Sequence, residues 1–279
     1  MFKVILLANG TKPGVLKAVE QLRPEIERRA VILAEDFTGK KDFSPYNADL
    51  AIVFGGDGSI LRAASQMGNN QVPVLAVHLG TLSFLSTIQA GELIPLLDRP
   101  DLLQMPVISH LLLNCKLYRQ GESEPDISLL VLNEVVLHED HSSRLISVEM
   151  DIDCDLVTTY RCDGLIVSTP VGSTARNLAT GGPILRKDID AVVVLPICPH
   201  TLSNRPLVDS PDRQFEFRVH QPAMLIIDGV EVTSVNPGDS VRVTRASQTF
   251  KTIDVPGFCY YKALRSKLGW NGSFTDDVI

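Results

Sequence analysis

The stretch that decides the fold is Asp49–Ser59, with the sequence DLAIVFGGDGS, in which an apolar run ends in three glycines around one carboxylate. Leu50–Phe54 has the length and composition of a buried strand, and a helix is predicted over Ser59–Met67. A strand–turn–helix places backbone N–H groups at a helix N-terminus, where phosphate binds readily. Asp57 would then lie at the rim of an anion site, which is unfavourable unless the carboxylate holds a metal ion or a substrate hydroxyl. The stretch therefore predicts phosphoryl transfer.

The glycine turn has other interpretations, because glycine and aspartate are also the usual residues of a simple tight turn. Neither GxxxxGK[ST] nor GxGxxG occurs in the chain, so neither common nucleotide fingerprint applies. Arg62 follows Gly58 by about one helical turn. It either points back at a bound phosphate or is a solvated helix residue.

The sequence on either side of this stretch alternates strand and helix signals. Strands are predicted at Lys3–Ala8, Ala30–Ala34 and Val72–Val77, and an amphipathic helix at Val15–Arg29 that contains Pro24. The alternative for the first apolar run is a secretory h-region, but one basic residue before it and a Gly-Pro loop after it favour a buried strand. Apolar strands separated by helices predict a parallel sheet covered on both faces.

The middle of the chain, from about Leu111 to Val255, is dominated by short β-type runs separated by turn signals such as Asp228-Gly229. This pattern predicts an antiparallel, sandwich-like domain, after which Tyr260–Leu268 is again helical. The predicted strands of this region are Leu129–Leu137, Leu145–Tyr160, Gly164–Thr169, Ala191–Ile197, Phe215–His220, Met224–Ile227 and Val241–Thr244.

Length and composition set the class of protein. The 279 residues are enough for two domains, which we expect at residues 1–100 (α/β) and 101–255 (β-rich), with the tail 256–279 packing back on the first. A formal net charge of −7 argues against non-specific nucleic-acid binding, and no apolar run approaches the roughly 20 residues of a membrane helix. The five scattered cysteines lack a CxxC pair, which argues against a disulfide framework or a structural zinc site and favours the cytoplasm.

Two adjacent polar residues, Asn133 and Glu134, interrupt the apolar run Leu129–Leu137. Polar groups in a buried strand are costly unless they are hydrogen-bonded. Neighbouring side chains face opposite sides of a sheet, so at least one of the two is expected to point into a site. The alternative is a sheet edge that faces solvent.

A second ligand-gripping element is predicted in Asp163–Ala175. A strand ends there in Thr-Pro, Gly172-Ser173-Thr174 offers backbone N–H groups and hydroxyls, and Gly181-Gly182-Pro183 closes a turn. The alternative is a generic Ser/Thr loop. His200 is more typical of a hydrogen-bonded structural histidine and is not assigned a catalytic role.

In this order, the motifs resemble those of NAD kinases. The GGDG turn alone is weak, because diacylglycerol kinases and phosphofructokinases carry similar ones, but the ordered set is specific and covers nearly all of the chain from Leu50 onward. The matching segments are Gly55–Gly58, Leu132–His138, Asp163–Pro170, Gly172–Ala175, Gly181–Ile184, Pro199–Ser203, Arg205–Leu207, Ile227–Gly229 and Leu264–Trp270.

The resemblance implies a Rossmann-like α/β domain joined to an all-β domain, and a homo-oligomer; the charge and the hydropathy described above predict neither nucleic-acid nor membrane partners. It implies phosphorylation of the adenosine-ribose 2′-hydroxyl of NAD by ATP with Mg²⁺, or another divalent metal, to give NADP. Asp57 would be the proton acceptor or hydroxyl-positioning carboxylate. The residues expected to contact the nucleotides or to line a cleft between the domains are Gly58, Arg62, Asn133, Glu134, Arg144, Arg161, Asp163, Ser173, Thr174, Ala175 and Asp228.

The chain departs from the family pattern at four places. Arg176 stands where a tyrosine usually follows Thr-Ala, Ser83 replaces a glycine, Val171 replaces a threonine, and Val230 stands where a polar residue often follows Asp-Gly. Arg176 removes an aromatic face and offers a guanidinium that could bind phosphate. Two alternative functions stay open at this point: a lipid or sphingoid-base kinase that shares the GGDG element, and a dinucleotide-binding sensor without turnover.

Overall fold

The computed structural model describes residues 1–80, 83–85, 87–140, 145–201, 204–257 and 259–270. The elements up to residue 104 are β1 (Phe2–Ala8), α1 (Val15–Glu27), β2 (Ala30–Asp36), β3 (Leu50–Phe54), α2 (Asp57–Met67), β4 (Val74–His78), β5 (Ile88–Gln89), α3 (Ala90–Leu97) and a 3-10 turn (Leu102–Gln104). Those after it are β6 (Val107–Tyr118), β7 (Ile127–Val131), β8 (Glu134–Glu139), β9 (Ile146–Ile152), β10 (Asp155–Cys162), β11 (Gly164–Ser168), a 3-10 turn (Gly172–Thr174), α4 (Arg176–Ala179), β12 (Val192–Ile197), β13 (Leu207–Asp209), β14 (Phe215–Val219), β15 (Ala223–Ile227), β16 (Val230–Val235), β17 (Ser240–Ile253) and α5 (Tyr260–Leu268).

The chain divides into two compact units. Unit 1 comprises Met1–Gln66, Val72–Val107 and Thr252–Ile279, and unit 2 comprises Met67–Gln71 and Ile108–Lys251. No helix within the described ranges has the length and apolarity that a membrane span requires.

Unit 1 is built on a parallel sheet with the strand order β4-β3-β1-β2. All five residues of β3 are buried, as the unbroken apolar run Leu50–Phe54 predicts. The chain order reverses between β1 and β3, and in open α/β sheets the carboxyl ends of the strands at such a switch point form a crevice where ligands bind. The glycine turn follows β3 directly and therefore lies at this switch point.

Unit 2 consists of two antiparallel sheets. One has the order β10-β9-β14-β17, with β6 paired to β17 and to β7, and the other has the order β13-β12-β11-β8-β15-β16. Apolar side chains of both sheets form one buried cluster, so the sheets pack face to face. Members of the cluster include Leu113, Val148 and Phe217 from the first sheet and Val135, Leu165, Val192 and Leu225 from the second. The predicted combination of an α/β domain and a β-sandwich domain is confirmed.

Several local predictions differ from the structure. The predicted run Leu129–Leu137 is two strands, because β7 ends at Val131 and β8 begins at Glu134. The predicted strands also lack β5, β6, β13 and β16. Pro24 lies inside α1 without dividing the helix.

The predicted run Leu145–Tyr160 is a hairpin of two strands, β9 and β10. The prediction did not separate the two strands because the turn between them contains no glycine. Asp153 and Cys154 join β9 to β10 with φ values of 51° and 72°. A type I′ hairpin turn needs positive φ at both central positions, which Asn-Gly or Asp-Gly usually signals. Cysteine at the second position carries no such signal, so the break was missed.

Candidate active site

The glycine turn of unit 1 has a geometry that only glycine permits at its first position. Gly55 has φ 139°, and its N–H donates to the carbonyl of Val77 at 2.9 Å. A β-carbon on Gly55 would lie 2.2 Å from the Oγ of Ser59. The backbone can therefore turn sharply off the end of β3, and α2 begins at Asp57, two residues before the predicted start.

The carboxylate of Asp57 is held by backbone amides. Its Oδ1 accepts the N–H of Leu85 at 2.9 Å, and its Oδ2 accepts the N–H of Phe84 at 3.2 Å. A carboxylate has about four lone-pair sites, so these two bonds fix its orientation and leave acceptor capacity on each oxygen. The half-buried Asp57 can thus take a further proton donor or a cation.

A cavity opens beside the turn at the carboxyl ends of the strands. Its volume is about 230 Å³. The first turn of a helix leaves its N–H groups without intrahelical partners, and the helix dipole adds partial positive charge there. Lys12 and Val15, the first residue of α1, line the cavity, so a basic residue and a helix N-terminus make it suited to an anion. It is lined by Lys12, Pro13, Val15, Gly55, Gly56, His78, Leu79 and Gly80.

Arg62 packs on the loop that follows β2. A β-carbon on Gly39 would lie 2.4 Å from the Cδ of Arg62, so the close approach depends on that glycine. The loop is held by the carboxylate of Asp36, which accepts hydrogen bonds from Thr38 at 2.7 Å and from the Nε2 of Gln66 on α2 at 2.7 Å, among others. Within the described ranges, the guanidinium of Arg62 forms no ion pair.

The hydrogen bonds around Asp36 also determine its charge. Burial alone would raise the pKa of this carboxyl, but the donors from Thr38, Lys41 and Gln66 outweigh burial and hold the pKa well below its usual range. Asp36 is therefore an anion that anchors the loop.

Gly58, at the start of α2, is exposed.

In unit 2, Asp228 organises the backbone where β8 begins. Its Oδ1 accepts the N–H groups of Asn133 at 2.7 Å and Glu134 at 3.1 Å, and its Oδ2 accepts the N–H of Leu132 at 3.0 Å. Asp228 has φ 49°, and its own N–H returns a bond to the carbonyl of Glu134 at 3.0 Å. The carboxylate oxygens of Asp228 are thus hydrogen-bonded to the protein backbone.

Glu134 is a buried carboxylate that faces Arg176, its one cationic neighbour in the described part of the chain. Its side chain is 3% exposed, and its Oε1 lies 3.9 Å from the Nε of Arg176. Its Oε2 is buried and has no hydrogen-bond partner among the described residues. Burial, followed by the negative charge of Asp228, raises the pKa of Glu134 to about 7, while Arg176 opposes the rise. Such an acceptor without a partner is typical of a ligand site.

The loop after β11 packs tightly on this segment. Thr169 donates its N–H to the carbonyl of Asn133 at 2.9 Å and its Oγ1 to the carbonyl of Leu132 at 2.5 Å. A β-carbon on Gly172 would lie 2.1 Å from the carbonyl oxygen of Asn133, so this contact requires glycine.

The predicted site residues of this loop differ in exposure. Ser173 is fully buried, and its Oγ donates to the carbonyl of Pro170 at 2.6 Å and accepts the N–H of Leu185 at 3.0 Å. Its hydroxyl therefore serves the loop itself. Thr174 and Ala175 are half-buried and lie next to Arg176.

Of the remaining predicted site residues of unit 2, Arg161 and Asp163 lie at the β10–β11 junction. Arg161 is exposed and accepts the N–H of His200 on its carbonyl at 2.9 Å, while Asp163 is half-buried. A side-chain hydrogen bond with Asp163 raises the pKa of the exposed Cys198 thiol. Arg144 lies outside the described residues.

Sequence reasoning missed three parts of this arrangement. The amides of Phe84 and Leu85 were not assigned to Asp57, and the loop around Lys12 was not assigned to the anion cavity. The available signal for Lys12 was its place after the first parallel strand, because such loops meet at one sheet edge. The fit of Gly172 against Asn133 had no sequence signal beyond the glycine itself.

A parallel α/β sheet with a glycine turn, a helix N-terminus and a held carboxylate at its switch point offers the groups that transfer of a phosphoryl group to a hydroxyl requires. Residues 18–100 match the family model of the ATP-NAD kinase N-terminal domain, and residues 132–255 match that of the ATP-NAD kinase C-terminal domain. The NAD kinase of Rhodopirellula baltica is 42% identical over 97% of this chain and 87% of its own length, and that of Geotalea daltonii is 36% identical over 95% and 90%. The chain belongs to the NAD kinase family.

Two solved structures share the fold. A yeast NADH kinase complexed with NADH superposes with a TM-score of 0.86 at 23% identity, covering 98% of this chain and 89% of its own. An NAD kinase from Archaeoglobus fulgidus in complex with ATP gives 0.75 at 22% identity, covering 96% and 97%. The expected family membership is confirmed, and the lipid-kinase and sensor alternatives receive no support.

Proposed function

We propose that this protein transfers a phosphoryl group from ATP to the 2′-hydroxyl of the adenosine ribose of NAD, producing NADP. The observation that carries the proposal is the carboxylate of Asp57, which lies in the glycine turn at the start of α2 and accepts the backbone N–H groups of Phe84 and Leu85. The turn supplies phosphate-binding groups, and the carboxylate supplies an acceptor for a hydroxyl proton. A kinase needs both functions close together.

Asp57 receives or orients the attacking hydroxyl. Phosphoryl transfer depends mainly on positioning and on stabilisation of charge, and a positioned general base contributes roughly 10²–10⁴-fold. Because Phe84 and Leu85 already fix the carboxylate, little reorganisation is needed when the hydroxyl arrives.

The donor phosphates are assigned to the turn and the helix start. Gly58 is exposed at the first turn of α2, where the N–H groups and the helix dipole favour an anion. Arg62 lies one turn further along and is free of ion pairs within the described part of the chain. Its guanidinium lies at Gly39, so the assignment of Arg62 to the nucleotide rests on the family resemblance.

Mg²⁺ is assigned to the donor nucleotide. Mg²⁺ is usually bound through one or two carboxylates together with substrate phosphates, and it retains water ligands. The described residues contain no group of three His, Cys, Asp or Glu side chains that could hold a metal ion. Asp57, with spare acceptor capacity beside the turn, fits a metal that arrives on the triphosphate. When bound, the metal neutralises charge on the transferring phosphoryl group.

Unit 2 supplies groups for the dinucleotide. Glu134 has a buried oxygen without a partner, which suits a sugar hydroxyl, and Asn133 precedes it. Asp228 and Ser173 act by shaping this segment, because their polar atoms are already bonded within the unit. The further binding residues assigned from the family resemblance are Arg144, Arg161, Asp163, Thr174 and Ala175.

The protein is further proposed to form a homo-oligomer and to act in the cytoplasm. The first proposal follows the family resemblance and is checked by light scattering coupled to size-exclusion chromatography. The second is supported by cysteine usage, since scattered free thiols suit a reducing compartment.

The test is a turnover assay with purified protein, NAD, ATP and Mg²⁺, in which NADP is detected by an NADP-specific dehydrogenase. We expect NADP formation by the wild type and a loss of about 10²–10⁴-fold in kcat for Asp57→Asn. The matched control is Asp42→Asn, because Asp42 is an exposed carboxylate of the same unit that also accepts two hydrogen bonds, both from Ser44. It should keep the wild-type rate.

Two results would contradict the proposal. One is an absence of NADP with the wild type, and the other is an Asp57→Asn variant as active as Asp42→Asn. A parallel reaction with sphingosine or diacylglycerol in place of NAD should give no phosphorylated product.

A further inference from the structure

Among the described residues, Arg176 is the cation that faces the buried carboxylate of Glu134. Its carboxylate is 3% exposed, and Arg176, at 44% exposure, approaches its Oε1 from the start of α4. Asp228 contributes a negative charge from the turn between β15 and β16. Ser168, the partner of Glu134 on β11, is uncharged. Within the described ranges, Arg176 and Asp228 are the charged groups that act on Glu134.

The two oxygens of Glu134 have different environments. Oε1 faces the guanidinium at 3.9 Å, whereas Oε2 is buried and has no hydrogen-bond partner among the described residues. An ionised carboxylate accepts hydrogen bonds at both oxygens, while a protonated one turns one oxygen into a donor. A sugar diol that donates its hydroxyl protons is therefore bound by the ionised form.

We propose that Arg176 is a positioning residue that favours the ionised form of the buried Glu134 carboxylate, the form that accepts hydroxyl hydrogen bonds from the sugar of the dinucleotide substrate. This inference rests on the proposed function for the identity of that substrate. Arg176 stands where the family usually has tyrosine. In this proposal the arginine acts through Glu134, whereas the tyrosine would offer an aromatic face to the ligand.

The size of the effect follows from the balance of charges. Burial and Asp228 raise the pKa of Glu134 to about 7, so about half of the carboxyl groups are ionised at pH 7. An opposite charge in contact changes proton affinity by about tenfold or more, and the exposure of Arg176 places it at the lower end. Without Arg176, about one tenth of the carboxyl groups would be ionised at pH 7 and about nine tenths at pH 9.

The first test compares KM for NAD in the wild type and in Arg176→Met between pH 7 and pH 9. We expect KM to rise about fivefold at pH 7 and to come within about 10% of the wild-type value at pH 9, with kcat changed little. Arg176→Lys, which keeps the charge, should restore most of the affinity at pH 7. A second neutral variant, Arg176→Gln, should repeat the result of Arg176→Met.

The matched control is Arg213→Met in the same unit. Arg213 is also an exposed arginine paired with a carboxylate, Asp153. Its removal should leave KM for NAD unchanged at both pH values. Combining Arg176→Met with Glu134→Gln should show no further pH-dependent loss beyond Glu134→Gln alone, because the two residues act through one ionisation.

The second test needs no turnover and so separates this inference from the proposed function. Calorimetric titration with NAD at pH 7, in buffers of different ionisation enthalpy, measures the protons released on binding. We expect about 0.5 proton for the wild type and about 0.9 for Arg176→Met, since binding requires the ionised form.

Two outcomes would overturn the inference. One is a KM ratio between variant and wild type that is the same at pH 7 and pH 9, which indicates a purely structural role. The other is equal proton release by the two proteins. A wild type that makes no NADP would refute the proposed function, while the proton release would still decide the role of Arg176.

Discussion

Replacement of Asp228 by asparagine tests whether this residue supports the site through the backbone. Its carboxylate accepts the N–H groups of Leu132, Asn133 and Glu134 at 3.0, 2.7 and 3.1 Å. Asparagine has nearly the same shape and tolerates the positive φ of 49° at this position. Asp228→Asn therefore changes the hydrogen-bonding capacity and the charge with little change in packing.

The expected loss follows from the three donors. The amide oxygen of asparagine can still accept from Asn133 and Glu134, but its NH₂ group faces the N–H of Leu132. A buried donor without a partner costs about 1–3 kcal/mol, and two bonds that lose charge assistance add about 1 kcal/mol in total. Burial of the charge raises the pKa of the Asp228 carboxyl despite these bonds, and the neutral amide avoids part of that cost, so we expect a fall of about 1–3 kcal/mol in the free energy of unfolding of unit 2.

The measurement combines urea unfolding, followed by circular dichroism, with amide hydrogen exchange of residues 132–134. Fluorescence is unsuitable because Trp270, the single tryptophan of the chain, lies in unit 1. Exchange at these amides should accelerate in Asp228→Asn, since they are the donors that lose their acceptor. Asp212→Asn is the control, because Asp212 is 72% exposed in its ion pair with Arg245 and such pairs contribute about 0–1 kcal/mol.

The reasoning would be refuted by an Asp228→Asn variant whose stability lies within about 0.5 kcal/mol of the wild type and whose 132–134 amides exchange at the wild-type rate. A raised KM for NAD with unchanged stability would instead mean that the carboxylate contacts the ligand directly.

Two further predictions concern backbone fit and pH. Gly172→Ala should lower the free energy of unfolding by about 1–3 kcal/mol or more, because the new methyl group meets the carbonyl of Asn133. Thermal denaturation measures the loss. The control is Gly91→Ala in α3, which should be neutral or stabilising because a β-carbon at Gly91 would have no neighbouring atom within 4 Å outside the helix backbone. Asp36→Asn should destabilise the protein by about 2–4 kcal/mol at pH 7, since charge-assisted bonds such as that from Gln66 are weakened. Because the pKa of Asp36 is lowered in the folded protein, its stabilisation is present above about pH 4 and is lost as the pH falls below that value. The free energies of unfolding of the wild type and of Asp36→Asn should therefore converge in acid. A difference between them that does not depend on pH would contradict this assignment.

The local chain segments around the site could be predicted from sequence. The predicted strand Leu50–Phe54 and the predicted helix Tyr260–Leu268 have the same bounds as β3 and α5. Both depend on apolar patterning over a few residues. The run Leu129–Leu137 shows the limit of such patterns, because hydrophobicity alone does not reveal that the strand stops before Glu134.

What the sequence by itself determined is the set of chemical groups: a glycine turn with a carboxylate, an Asn-Glu pair and a Gly-Ser-Thr loop, in an order specific to one family. The tertiary structure decided what each group does. Asp57 is held by amides 27 and 28 residues away, and Asp228 accepts from amides 94 to 96 residues away. Glu134 owes its altered proton affinity to burial and to the charges of Asp228 and Arg176. Strand pairing and packing bring such distant groups together, and no local pattern encodes those distances.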